Sequence, residues 1–310
     1  MVTTAPHTNG TSHTSDTAPG VRPLPQLHKL GQLLGEWEAD AQAAHDARVN
    51  GTLRGPVTGL AGLDRVLGGV LQPGLHIAHG GPGVGKTALG LQVAATCGFP
   101  ALYVSCEMRP LELLRRVTAR ISNTFLGRLK SGELAPADSL RLAQQACAAA
   151  PELVLADATQ AFADFGWIQT AANACVATQG QARHILIVID SLHSWAEAAP
   201  GGLTEYDAIN GAIATLRTLA STLGCPVLAI AERNRVSMKT GGLNASAGSR
   251  KFEYGAETVI GLTEDTSQGR PIAPPGEASV ALKVEKNRNG ASGAEVELFF
   301  NGALQRFREV

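Results

Sequence analysis

The chemistry in this sequence begins at Gly80-Gly81-Pro82-Gly83-Val84-Gly85-Lys86-Thr87, a Gly-x-x-x-x-Gly-Lys-Thr phosphate-binding loop. Glycines permit positive φ, so successive backbone N–H groups can turn inward around phosphate oxygens. Lys86 can reach the β- and γ-phosphates, and the Thr87 hydroxyl can ligate Mg²⁺. From Ala88 the chain continues as a helix whose unpaired first N–H groups and positive dipole end add to the cradle. The pattern implies ATP with Mg²⁺. A chance lysine behind a glycine-rich turn is the competing explanation. Against it stand the short buried strand at Leu75–Ala78 before the loop and the helix at residues 87–95 after it.

Other reactive side chains are spaced to join this loop. Asp190 ends the apolar run His184–Asp190, and in open α/β sheets ligands sit at the carboxyl ends of strands. A carboxylate there can hold Mg²⁺ through water opposite Thr87, or simply cap a turn with Ser191. Glu107 ends the strand Ala101–Cys106. It can orient and deprotonate a water attacking the γ-phosphate, or serve as a helix N-terminal acid beside Arg109 and Pro110. Lys286 and Arg288, two residues apart at the end of a late strand, can face one phosphate in the same subunit or across an interface. A solvated hairpin tip fits the same spacing. Between Arg233 and Phe252 stand five cations (Arg233, Arg235, Lys239, Arg250, Lys251) and no acid. That stretch suits a nucleic-acid backbone without base readout, and equally a solvated surface loop.

The elements that must position these groups follow from periodicity. Strands are expected at 75–78, 101–106, 153–155, 184–190, 226–230, 258–262, 279–285 and 294–300, the last two antiparallel across Asn289-Gly290. Helices are expected at 87–95, 110–121, 137–149 and 165–177, and through Ile209, Ile213, Leu216 and Leu223 up to Gly224. Residues 234–250, rich in Gly, Ser and Asn, read as a long loop. Strands alternating with helices give an α/β fold, a mostly parallel sheet flanked by helices on both faces. Upstream, Leu27, Leu30, Leu34, Trp37, Ala41 and Ala44 form a narrow apolar seam on one helix. That helix folds back on its own domain or docks on a neighbouring subunit. Residues 1–23 are too poor in apolar side chains to order. The domain division is therefore a disordered tail (1–23), a linker helix (24–50) and a nucleotide-binding domain (51–310).

Composition excludes some functions. A net charge of −1 over 310 residues rules out global basicity, so any nucleic-acid contact must be local. The five cysteines are scattered without a C-x-x-C pair, as in a cytoplasmic, reduced protein. No apolar run reaches transmembrane length and no signal pattern opens the chain, so no membrane role is expected.

With these residues together, the chain from about Leu27 onward resembles the RecA-fold motor domain of bacterial replicative helicases of the DnaB type. The resemblance is carried by Thr58-Gly59…Leu63-Asp64…Gly68-Gly69, the phosphate loop, Ser105-Cys106-Glu107-Met108 with Leu113 and Arg116, Ile189-Asp190, Ala231-Glu232-Arg233-Asn234-Arg235 and Lys286-Asn287-Arg288-Asn289-Gly290. It implies that Glu107 is the catalytic base, that Asp190 is the Mg²⁺ carboxylate, and that Arg288 with Lys286 reaches a neighbour's γ-phosphate. It further implies a homo-oligomeric, hexameric ring with the basic loop facing single-stranded DNA, a replication partner or loader, and a linker helix on the adjacent subunit. Regulatory or recombination-mediator ATPases of the RadA and KaiC types, which do not unwind duplex, share parts of the pattern and form the alternative. Three positions depart from the helicase pattern. The primase-recruiting N-terminal domain has no counterpart. Ser191 stands where a bulkier residue is usual. Glu232 stands where Gln is usual, and so close to phosphates it needs a proton or a cationic partner such as Arg233 or Arg235.

Overall fold

Aliphatic and β-branched runs bounded by turn formers build one nine-stranded sheet in the computed structural model, which describes residues 27–177, 184–232, 255–265 and 272–310. The strands are β1 (Gly74–Gly80), β2 (Ala101–Ser105), β3 (Leu153–Asp157), β4 (Leu186–Asp190), β5 (Pro226–Glu232), β6 (Thr258–Glu264), β7 (Ala278–Asn287), β8 (Glu295–Asn301) and β9 (Arg306–Glu309). Their order is β3-β2-β4-β5-β1-β6-β7-β8-β9. From β3 to β6 neighbours run parallel, and β6 to β9 antiparallel. The expected mostly parallel sheet is present, with an antiparallel flank in which β9 joins the hairpin read from the sequence.

The helices are α1 (Leu34–Asn50), α2 (Ala61–Val66), α3 (Lys86–Thr96), α4 (Pro110–Ser122), α5 (Leu126–Ser131), α6 (Pro136–Ala149), α7 (Phe165–Val176), α8 (Leu192–Glu197) and α9 (Glu205–Leu223). Adjacent strand residues point to opposite faces, so a continuous apolar run serves two cores. Tyr103, Val188 and Ile230 pack with Leu89 and Val93 of α3 on one face. Val104, Ile187 and Ile189 pack with Ile168 of α7 and Leu216 of α9 on the other. At full burial each such side chain contributes about 1.5–3 kcal/mol. Helix ends follow local chemistry. Thr204 caps α9 by accepting from Asp207 N–H, and Gly224 at φ +59° ends it.

The chain divides into two compact units, residues 1–52 and 53–310. Within the first, the helix expected from Leu27 starts later. A 3₁₀ turn covers Leu30–Leu33 and α1 begins at Leu34. Gly31 and Gly35 weaken that first turn, and the Gln32 side chain accepts the Lys29 N–H instead. Leu27, Leu30, Leu34 and Trp37 are exposed. The tail at 1–23 and the basic residues Arg233, Arg235, Lys239, Arg250 and Lys251 lie outside the described residues. Among the described residues no helix is long and apolar enough to cross a membrane.

The Thr58-Gly59…Leu63-Asp64 lead-in is a structural clamp. Asp64 accepts from Thr58 N–H (2.6 Å), Thr58 Oγ1 (2.7 Å) and Gly59 N–H (3.2 Å), tying the start of α2 to the segment before it. Asp64→Ala strands these donors and is expected to cost about 2 kcal/mol, read as a lower denaturant midpoint at unchanged slope.

Candidate active site

The phosphate-binding loop leaves β1 at Gly80 and enters α3 at Lys86. Gly85 sits at φ +94°, and a Cβ there would lie 2.8 Å from the rings of Phe300 and Phe307. Only glycine fits that turn against the stacked pair, whose ring centroids are 4.4 Å apart. Val84 is buried and pins the loop's middle, while Pro82 and Gly83 stay exposed above it. Lys86 Nζ donates to the Gly81 carbonyl at 2.9 Å, which holds the ammonium over the loop's mouth.

Strand register brings the other groups to the same edge. Gly80 is level with Glu232, Asp190 with Ile230, and Ser105 with Asp190. Glu107 follows two residues beyond Ser105. Gly83, Gly85, Lys86, Thr87, Ala88, Glu107, Asp190 and Glu232 thus line one cavity of about 310 Å³, together with Arg116, Ser191, Phe300 and Gln305.

Asp190 is 3% exposed, and burial raises its carboxyl pKa. Hydrogen bonds from Tyr103 and Thr87 oppose that shift, the Glu107 charge adds to it and Lys86 reduces it. The Tyr103 hydroxyl donates to Asp190 Oδ2 at 2.6 Å, and burial drives the phenol pKa well above its usual value. Thr87 and Asp190 therefore present a hydroxyl and a carboxylate side by side, hard oxygen donors of the kind Mg²⁺ takes. Among the described residues no three His, Cys, Asp or Glu side chains gather into a metal cage.

Glu107 Oε1 accepts from Ser194 Oγ at 2.8 Å and from Ser191 Oγ. Two hydroxyls, one on the N-cap and one in the first turn of α8, thus fix the carboxylate just beyond β2. Ser191, a departure from the pattern the sequence resembles, becomes part of this support. Burial lowers the Lys86 ammonium pKa, and the carboxylates of Glu232, Asp190 and Glu107 hold it up, Glu232 most strongly. Lys86 and Arg116 are cations that line the same cavity as Glu232. The Glu232 N–H donates to His193 Nδ1 at 3.2 Å, which puts a neutral imidazole's proton on Nε2. Burial pushes the neighbouring Cys106 thiol up to about 12, so it is inert.

Lys286 and Arg288 are not brought to this cavity. The Arg288 N–H donates to the Glu257 carbonyl, and the Glu257 N–H to the Leu75 carbonyl, so Arg288 is level with the start of β1. From Leu75 to Gly80 is five residues of strand, about 17 Å, before the loop begins. Arg288 Nη1 pairs with Glu257 Oε1 at 2.7 Å, and Lys286 Nζ donates to the Ala256 carbonyl at 2.6 Å. The two cations leave β7 at the end of the sheet opposite the phosphate loop.

Sequence reading assigned no site role to Tyr103, Ser194, His193 or Gln305. A Tyr in a fully buried strand signals a hidden acceptor for its hydroxyl. Gln305 has no such signal. It sits at φ +53°, and Arg116 donates to its side chain.

A glycine-rich loop heading a helix, a strand-end carboxylate beside its Thr, and this sheet define a RecA-like P-loop nucleotide-binding domain. Residues 55–309 match the family model of the DnaB-like helicase C-terminal domain, and the chain belongs to that family. It is similar to the replicative DNA helicase DnaB of Treponema pallidum (strain Nichols), 28% identical over 262 residues that cover 82% of this chain and 56% of that protein. The chain thus spans little more than half of that relative's length. Among solved structures, a DnaB-like replicative helicase, described with its interactions with primase, superposes with a TM-score of 0.73 at 18% identity over 92% of this chain and 68% of that one. An ATPase domain solved by itself gives 0.75 at 17% identity, covering 92% of this chain and all of that one. At such identities the two structures speak to the fold.

Proposed function

We propose that the chain is an ATP-hydrolysing, ring-forming helicase or translocase on single-stranded DNA in replication, with each ATP shared by two protomers. The observation that carries this is the placement of Arg288 and Lys286 about 17 Å of strand away from their own phosphate loop, so that a triphosphate they served would be another protomer's. In one protomer the loop N–H groups and Lys86 neutralise the phosphates. Thr87 and Asp190 would hold Mg²⁺, which supplies charge neutralisation when bound. Glu107, fixed by Ser191 and Ser194, takes the proton of the water that attacks the γ-phosphorus as the bond to ADP breaks. Arg288 of the neighbour meets the charge on the transferred group. A hexameric ring suits this sharing, with the exposed apolar seam of α1 lying on the next protomer. The basic residues between Arg233 and Lys251 would track the DNA backbone, and a primase-like replication partner is the kind to test.

The test is ATP turnover with and without single-stranded DNA across a salt series, joined to strand displacement on a forked duplex. DNA should stimulate turnover. The affinity should fall with salt by about 0.7 logarithmic units per decade for each phosphate neutralised, so up to about 3.5 for five cations. Turnover indifferent to DNA, with no strand displaced, would replace this reading by a RadA- or KaiC-like regulatory ATPase.

A further inference from the structure

His79, one residue before the phosphate loop, is 2% exposed, and its Nε2 lies 2.8 Å from Glu285 Oε2. The two residues are two strands apart. Between them runs β6, where Gly261 stands level with His79. A Cβ at Gly261 would fall 2.6 Å from Glu285 Oε1, so the carboxylate crosses β6 through the space a side chain would fill. Glu285 is also the irregular residue of β7. Val259 pairs with Lys286 and Ile260 with Val284, which leaves Glu285 as the extra residue of a β-bulge. A bulge shifts the strand by one residue, and such a shift decides the face on which every later side chain emerges. The side chains after this bulge are Lys286 and Arg288.

The geometry points to Glu285, locked by His79, as the positioning residue that sets the direction of Lys286 and Arg288 and ties them to the strand that carries the phosphate loop. Each protomer would then hold its contribution to two ATP sites, its own loop and the arginine it lends, on one cross-sheet brace. This rests on the reading that Arg288 acts on a neighbour's ATP.

The test uses rings of the full chain. Glu285→Ala is expected to lower kcat roughly tenfold to a hundredfold with the KM for ATP little changed, because a misplaced group loses rate before it loses binding. Glu285→Gln, which keeps an oxygen acceptor, should stay near wild type. Gly261→Ala, which displaces the carboxylate without removing it, should resemble Glu285→Ala and serves if that variant folds poorly. The deciding measurement is mixing with Lys86→Ala subunits, which lack a working loop but carry an intact brace. In an equal mixture roughly a quarter of the interfaces join a Glu285→Ala loop to an intact arginine, so turnover should rise several-fold above Glu285→Ala alone. If Arg288→Ala is rescued by Lys86→Ala subunits and Glu285→Ala is not, the brace is wrong and the shared-site reading stands. If Arg288→Ala keeps full turnover unmixed, the shared-site reading itself has failed. Wild-type kcat in Glu285→Ala also overturns the brace.

Discussion

Arg288→Ala is expected to lower ATP turnover by about a thousandfold or more while ATP binding stays within a few-fold of wild type. The guanidinium makes no contact with its own nucleotide cavity. It lies on Glu257 at the opposite end of β1, with 53% of its side chain exposed. An exposed ion pair of that kind contributes about 0–1 kcal/mol, so its removal should leave the fold and the loop intact. On the proposed shared site, what disappears is charge delivered to the transition state at a neighbour's γ-phosphate, which changes kcat and not affinity. Mixing Arg288→Ala with Lys86→Ala, each inactive alone, should restore turnover, because some interfaces then join a working loop to a working arginine. Undiminished hydrolysis by Arg288→Ala rings, or inactive variants that never complement, would rule out the trans assignment.

Part of the candidate site is legible in the sequence because strand-end chemistry is local. Gly80 to Thr87, Glu107 and Asp190 each announce themselves by a residue type at the end of an apolar run, and parallel strands must align those ends. The nine-strand order is not local, nor is the bulge at Glu285, which exists only through pairing with β6. Arg288 lies exposed in the turn after β7, so a solvated hairpin tip and a role at a neighbour's site both fit its position. Spacing says that two cations share a face, but only the register with Glu257 and Leu75 says which end of the sheet they reach. Short helices α2, α5 and α8 and the four-residue β9 fall below the length at which periodicity speaks. Their positions come from capping and packing. Ser191, for example, caps α8 by accepting from Ser194 N–H and also reaches Glu107.

Asp190→Asn should separate stability from activity in opposite directions. Turnover is expected to fall by about a hundredfold or more, because the carboxylate that would help hold Mg²⁺ becomes a neutral amide. The metal-free protein should instead become more stable at neutral pH, by about 1 kcal/mol, the usual scale of a stabilising substitution. The sign follows from burial. Asp190 is enclosed at the end of β4, and its folded pKa lies above 3.8 because desolvation outweighs the hydrogen bonds from Tyr103 and Thr87. A raised carboxyl pKa means the folded state holds the proton more tightly than the unfolded chain. Stability is therefore lost as pH rises from 3.8 through the raised folded value, and the full cost persists above it. Asparagine lacks that cost, keeps an oxygen for the Tyr103 hydroxyl and offers an N–H to Thr87. Melting temperatures of the two proteins in chelator should thus diverge as pH rises from acid to neutral, with the variant higher. A variant that melts below wild type at neutral pH would mean that the hydrogen bonds at Asp190, and not its burial, dominate the energetics of the site.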